Sequence, residues 1–149
     1  LRIEKGGATV YEYRSRIHQE HRIVNRTSGT PPYNIQERSF LFAVRIVKLH
    51  QYLDQRGGTG RAMAKQVLAS GTSIGSNLEE ADAGQSKPDF ISKCGIALKE
   101  ARETHFWLRL LRECELVPAD RIAPLVAEAK EIVAILTTIV KNSRSNSQP

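Results

Sequence analysis

The hexapeptide RIVKLH places Arg45 and His50 five residues apart. In small helical ribonucleases an Arg and a His at such spacing divide the work: the guanidinium holds a phosphate while the imidazole moves a proton. Here the pair falls amid the apolar stripe of what reads as a first helix. We read it as a chance pairing and keep a small helical-bundle ribonuclease as an alternative. Metal chemistry needs clustered donors. His18 and His21 lie near the N-terminus, His50 and His105 stand alone, and the Glu-x-x-His spacing of di-iron bundles does not occur in the helices. His105 reads instead as a satisfied core histidine. Cys94 and Cys114 lie on one helix, roughly 30 Å apart by helical rise and on opposed faces, so they cannot bond within it. Two free thiols suit a reducing compartment. GGTG, residues 57–60, follows a helix instead of a strand and lacks the Lys of a P-loop. No catalytic, cofactor-binding or metal-ligating set is assigned.

A further constellation is polar but carries neither nucleophile nor strong base. SGTSIGSNLEEA, residues 70–81, keeps a helical apolar rhythm while holding residues that helices usually avoid. Gly71 and Gly75, one turn apart, admit close approach of a neighbouring backbone at a propensity cost of about 1 kcal/mol each. Ser73, Asn77 and Glu80 form a ridge beside the apolar face, able to hydrogen-bond to another helix. Lys99, Arg102 or the equivalent groups of a second subunit are the expected partners. The role expected of the ridge is to fix helix register or assembly.

The elements that must position these residues are helices. Phe42, Ile46, Leu49 and Leu53 recur at steps of three and four before QRGGTG stops the first helix with glycines. A second runs from about Arg61 to Gln85, with Met63, Val67, Gly71, Ile74, Leu78 and Ala81 on one face. Ser86 and Asp89 are spaced as a capping box around Pro88 and open a third helix, which continues to about Glu115 before Pro118 breaks it. Ile122, Leu125, Ala129, Ile132, Leu136 and Ile139 mark the last helix, ahead of a polar tail. Four amphipathic helices with short connections imply an all-α, antiparallel up-down-up-down bundle over residues 35–142, with residues 143–149 as the tail. Residues 1–34 have no sustained periodicity and end in TSGTPPYN; they read as a poorly ordered basic segment whose native origin is left open.

The third helix is apolar on two opposed faces. At about 100° per residue, Phe90, Cys94, Ala97, Leu98, Ala101, His105, Leu108 and Leu111 share one broad face, the expected core. Ile96, Trp107, Leu110 and Cys114 fall opposite, with Glu100 and Glu103 among them. A four-helix bundle has no central helix to use both faces. A homo-oligomer interface at Ile96, Trp107 and Leu110, anchored by Trp107, is the expectation.

Charge narrows the partner. The 149 residues carry 22 Lys/Arg and 16 Asp/Glu, a net +6. Six basic against three acidic residues in 1–34 supply +3, and 16 against 13 in the remainder supply the other +3. No Lys/Arg block interleaved with aromatics occurs, so the chain reads as mildly basic. No apolar run approaches the roughly 20 residues that span a bilayer. The first residues also lack an apolar block of signal-peptide type, which points to the cytoplasm.

At SIGSNLEEA the chain resembles the S-I-x-x-N-x-x-E-G segment of the 23S rRNA intervening-sequence proteins. KPDFISKCGIALKEARETHFWLRLL is similar to that family's next helix, where an aromatic, I-A-x-K-E, a further Glu and W-L recur in order. The likeness extends from about Glu37 to Lys141. Matching positions are Ser73, Ile74, Asn77 and Glu80, then Phe90, Ile96, Ala97, Lys99, Glu100, Glu103, Trp107 and Leu108. Ala81 stands where the family usually has Gly, and Glu79 where it usually has a small residue. The resemblance implies a homopentameric ring without established enzyme activity, and adds Lys99, Glu100 and Glu103 to the residues expected in assembly. The family includes accessory variability proteins of diversity-generating retroelements, which bind a reverse transcriptase and RNA. A non-enzymatic ring binding RNA or such a protein partner is therefore expected, with a ring serving protein interactions alone as the rival.

Overall fold

The computed structural model describes residues 34–145, which form four helices. Helix α1 spans Ile35–Arg56, α2 Gly58–Ala83, α3 Lys87–Glu113 and α4 Ala119–Ser145. The segment 1–33, and with it the expectation of poor order there, lies outside the described residues, as does 146–149.

Local chemistry explains each helix end. Asn34 caps α1, its side-chain oxygen accepting the Glu37 N–H at 2.7 Å. Gly57 ends that helix with φ of +70°, and Gly58, already the first residue of α2, has φ of +60°. These positive angles are ones glycine adopts without the penalty a side chain brings. Arg61 ties the corner by donating to the Asp54 carbonyl at 2.7 and 3.1 Å. The glycines thus begin α2 as well as ending α1, three residues earlier than the apolar rhythm suggests. Ser86 caps α3 as expected, accepting the Asp89 N–H at 3.3 Å. The stop of α3 differs from expectation. Glu115 turns left-handed at φ of 54°, its N–H donating to Arg112 O at 3.0 Å while Leu116 N–H reaches Leu111 O at 3.1 Å. This is a Schellman motif with a side-chain-bearing residue in the glycine position, and it ends the helix before Pro118 is reached. Pro118 instead begins the next one, its carbonyl accepting the N–H groups of Arg121 and Ile122 at 3.0 and 3.1 Å. Helix α4 continues to Ser145, past the expected end at 142, and buried Ser143 returns its hydroxyl to Ile139 O.

The core holds every apolar stripe residue named above for α1, α2 and α4. Fully buried Ile74, Leu108, Ile132 and Leu136 each contribute about 1.5–3 kcal/mol of transfer free energy. Helix α2 packs extensively on both α1 and α3, and α3 on α4, while α1 and α4 touch only sparingly. That thin seam is closed by a fork: Arg38 donates to both Glu128 oxygens, at 2.6 and 3.0 Å. Gly71 and Gly75 both face α1, but for different reasons. A Cβ at Gly71 would meet the Ile46 side chain at 2.8 Å; at Gly75 it would meet the Ser39 carbonyl oxygen at 3.7 Å. Only Gly75 therefore lies against backbone; a neighbouring side chain occupies the space at Gly71.

The core face of α3 needs one correction. Thr104, not His105, is the buried residue between Ala101 and Leu108. Its hydroxyl lies 2.9 Å from Ser70 Oγ and 2.8 Å from the Glu100 carbonyl, and Ser70 donates onward to Gln66 O at 2.9 Å. The step of about 100° from Thr104 leaves His105 half-buried.

Candidate functional site

The polar ridge of α2 resolves into local contacts. Asn77 donates to the Ser73 carbonyl at 2.8 Å and to its hydroxyl at 3.2 Å, both within α2. Glu80 reaches across to α3, but its partner in the chain is Lys93, not Lys99 or Arg102. The pairing lies two turns earlier on α3 because the short Gly84–Ser86 connection brings the end of α2 against the start of α3. Glu103 accepts the Trp107 indole N–H at 3.2 Å. The Glu100 carboxyl is held above its ordinary pKa by burial first and by neighbouring Glu103 second, with Lys99 opposing. Among the described residues no hydrogen bond or ion pair joins Ser73, Asn77 or Glu80 to Lys99, Glu100 or Glu103.

The second apolar row expected on α3 is only partly outward. Ile96 is exposed, Trp107 and Leu110 are half-buried against the core, and Cys114 is exposed. Phe106 joins them, 48% exposed, its ring edge-on to Trp107 with centroids 5.2 Å apart. The sequence reading passed over Phe106 because it lies roughly 100° from Trp107 around the helix.

A feature absent from the sequence reading lies on the side of α3 facing α4. Lys99 and Arg102 of α3 and Lys141 and Arg144 of α4 line one groove of about 690 Å³, with Ile91, Leu98 and Val140 among its apolar lining. No acidic residue lines it. None of the four cations has an ion-pair partner among the described residues. Gly95 is part of the lining, and a Cβ there would meet nothing within 4 Å. These cations are about 40 residues apart in pairs, so only the register of α3 on α4 unites them. Each falls on the solvent side of an amphipathic pattern, where sequence gives no reason to connect them.

Residues with titration or redox chemistry do not gather here. Arg45 is exposed and His50 half-buried, and five residues of helix set them roughly 140° apart about the α1 axis. Burial, then Arg109, Lys130 and Arg112, lowers the His105 pKa. Burial pushes the Cys94 thiol up to about 12, which makes it a poor nucleophile. Among the described residues no three His, Cys, Asp or Glu side chains are grouped as metal ligands. No described helix is long and apolar enough to cross a membrane.

The family model of the 23S rRNA-intervening sequence proteins matches residues 32–138, and so takes in all of α1, α2 and α3 and most of α4. The chain belongs to that family. The 23S rRNA-intervening sequence fold is also seen in a crystal structure from Bacteroides thetaiotaomicron, a protein with unknown function from the S23 ribosomal protein family. It is 43% identical, with a TM-score of 0.67, over 72% of this chain and 99% of that one. No curated protein matches the chain.

Proposed function

We propose that this 23S rRNA-intervening sequence protein is a non-enzymatic, oligomeric scaffold of the cytoplasm that binds RNA or a ribonucleoprotein partner such as a reverse transcriptase. The observation that carries the RNA reading is the groove lined by Lys99, Arg102, Lys141 and Arg144 with no carboxylate among its walls. Unpaired cations over an open apolar floor suit the phosphates of a nucleic-acid backbone, whose bound counterions their docking releases. Closure of an antiparallel, up-down-up-down bundle into a homopentameric ring belongs to the same reading. Gly60 against Leu53 and Gly75 against Ser39, and Ser70 against Thr104 and Glu80 against Lys93, support the alternating helix directions. Repeating the groove around a ring multiplies its field.

Binding of the full-length protein to a structured RNA, followed by fluorescence anisotropy across a salt series, tests the groove. Four phosphate contacts per groove predict a slope of log K on log salt near −3, taking about −0.7 to −0.9 per contact. Substituting Arg102 and Arg144 with Ala should flatten the slope by about 2. No binding at low salt, or a slope indifferent to both substitutions, would sink the RNA reading and favour the ring that serves protein contacts alone. Ile96 and Phe106, exposed on α3, are the observation on that rival's side. Trp107→Ala should yield smaller species with helicity retained; an unchanged assembly mass removes Trp107 from the interface.

A further inference from the structure

Helix α1 carries an apolar face that no other described residue covers. Phe40 is 63% exposed, and Leu41, Val44 and Val47 are exposed beside it. Phe40, Val44 and Val47 follow one another at four- and three-residue steps, on the side of α1 opposite Phe42, Ile46 and Leu49. A parallel row, Leu41, Arg45 and Lys48, runs alongside, and its two cations have no ion-pair partner among the described residues. Helix α3 has the complement. Ile96, Glu100, Glu103, Trp107 and Leu110 form a single row at the same alternating steps of four and three, two carboxylates set between apolar groups. Arg45 and Lys48 are three residues apart, as are Glu100 and Glu103.

We propose that the outer face of α1 docks on the outer face of α3 of a second copy, Phe40, Val44 and Val47 against Ile96, Trp107 and Leu110, with Arg45 and Lys48 facing Glu100 and Glu103. The inference rests on the oligomeric reading above and supplies the missing half of its interface. The two faces differ, so the contact is heterologous, the kind that repeats head to tail and closes as a ring when the rotation allows. Self-pairing of either face is disfavoured: α1 on α1 opposes cations to cations, and α3 on α3 opposes carboxylates to carboxylates. Nor does one chain satisfy itself, since α2 lies against the inner faces of both helices. Burial first and Glu103 second disfavour the ionised form of Glu100, which incoming cations would favour.

The test is a charge exchange in the full-length chain, read by light scattering over a dilution series with helicity checked by circular dichroism. Arg45→Glu with Lys48→Glu should weaken assembly at least tenfold, and Glu100→Lys with Glu103→Lys likewise. The chain bearing all four substitutions should assemble again, which a merely structural defect at either face would not allow. A wild-type protein that stays monomeric overturns this proposal together with the oligomeric reading. A wild-type oligomer indifferent to the α1 pair overturns this proposal alone, as does failure of the fourfold variant to recover.

Discussion

Alanine at Gly75 should stabilise the protein, while alanine at Gly71, one helical turn earlier, should not. Each substitution removes a glycine from the interior of α2, worth about 1 kcal/mol through helix propensity and unfolded-chain entropy. At Gly75 the new methyl would sit 3.7 Å from Ser39 O, 3.8 Å from its carbonyl carbon and 3.9 Å from Phe40 N. These are ordinary contacts, so the gain of about 1 kcal/mol survives and Tm rises by about 3–5 °C. At Gly71 the methyl would meet Ile46 Cγ2 at 2.8 Å and Cγ1 at 2.9 Å. Ile46 is fully buried and has nowhere to retreat. Overpacking of this kind costs about 1–3 kcal/mol, which cancels the propensity gain or outweighs it by up to about 2 kcal/mol. Urea denaturation at matched protein concentration gives both values, since any assembly contributes equally to the two variants only then. Pairing Gly71→Ala with Ile46→Ala should cost less than the sum of the single changes, because the second removes the clash. Equal shifts at the two glycines would refute the reasoning, for propensity alone would then account for both.

Other expectations are as specific. Glu115→Gly should stabilise by about 1 kcal/mol in thermal melts, because glycine occupies the left-handed angle at the end of α3 without the side-chain penalty. Thr104→Val should cost about 1 kcal/mol, and adding Ser70→Ala should recover part of it, since removing both hydroxyls leaves neither unpaired. His105 binds a proton less readily folded than unfolded. Its contribution is therefore present above the ordinary value of about 6.5 and is lost as pH falls through the lower folded pKa. Melts between neutral pH and pH 5 should show that decline, and His105→Gln should flatten it.

Periodicity alone predicts four helices because each buries a stripe of large aliphatics at steps of three and four, and α1, α2 and α4 carry those stripes without exception. It fails where a boundary is set by backbone angle instead of side-chain type. Glu115 has no sequence signature of a left-handed residue, and Pro118 draws attention to the wrong position. The choice between Thr104 and His105 turned on about 100° of helix, less than a broad apolar face can define. The outer face of α1 was legible in principle, because Phe40, Val44 and Val47 have the same spacing that exposed the double character of α3. Its residues interleave with the core stripe in FLFAVRIV and merge with it by eye. The basic groove was not legible at all. It depends on which turn of α3 meets which turn of α4, and charged residues on separate helices carry no mark of that register.

The junction at Gly57 has a consequence for how this chain can exchange parts. One residue of non-helical backbone stands between α1 and α2, so the corner that folds them back on each other is as small as a hinge can be. With alanine at Gly57 and Gly58, both left-handed angles become costly and continuous helix becomes the easier path. The two elements would then join into one rod of roughly 70 Å, swinging α1 out of its own bundle and into the vacancy left in a neighbour's. Such a swapped pair would keep its helix content and Arg38–Glu128 forks, now formed between chains. Two small residues therefore decide whether the first helix completes its own molecule or another's.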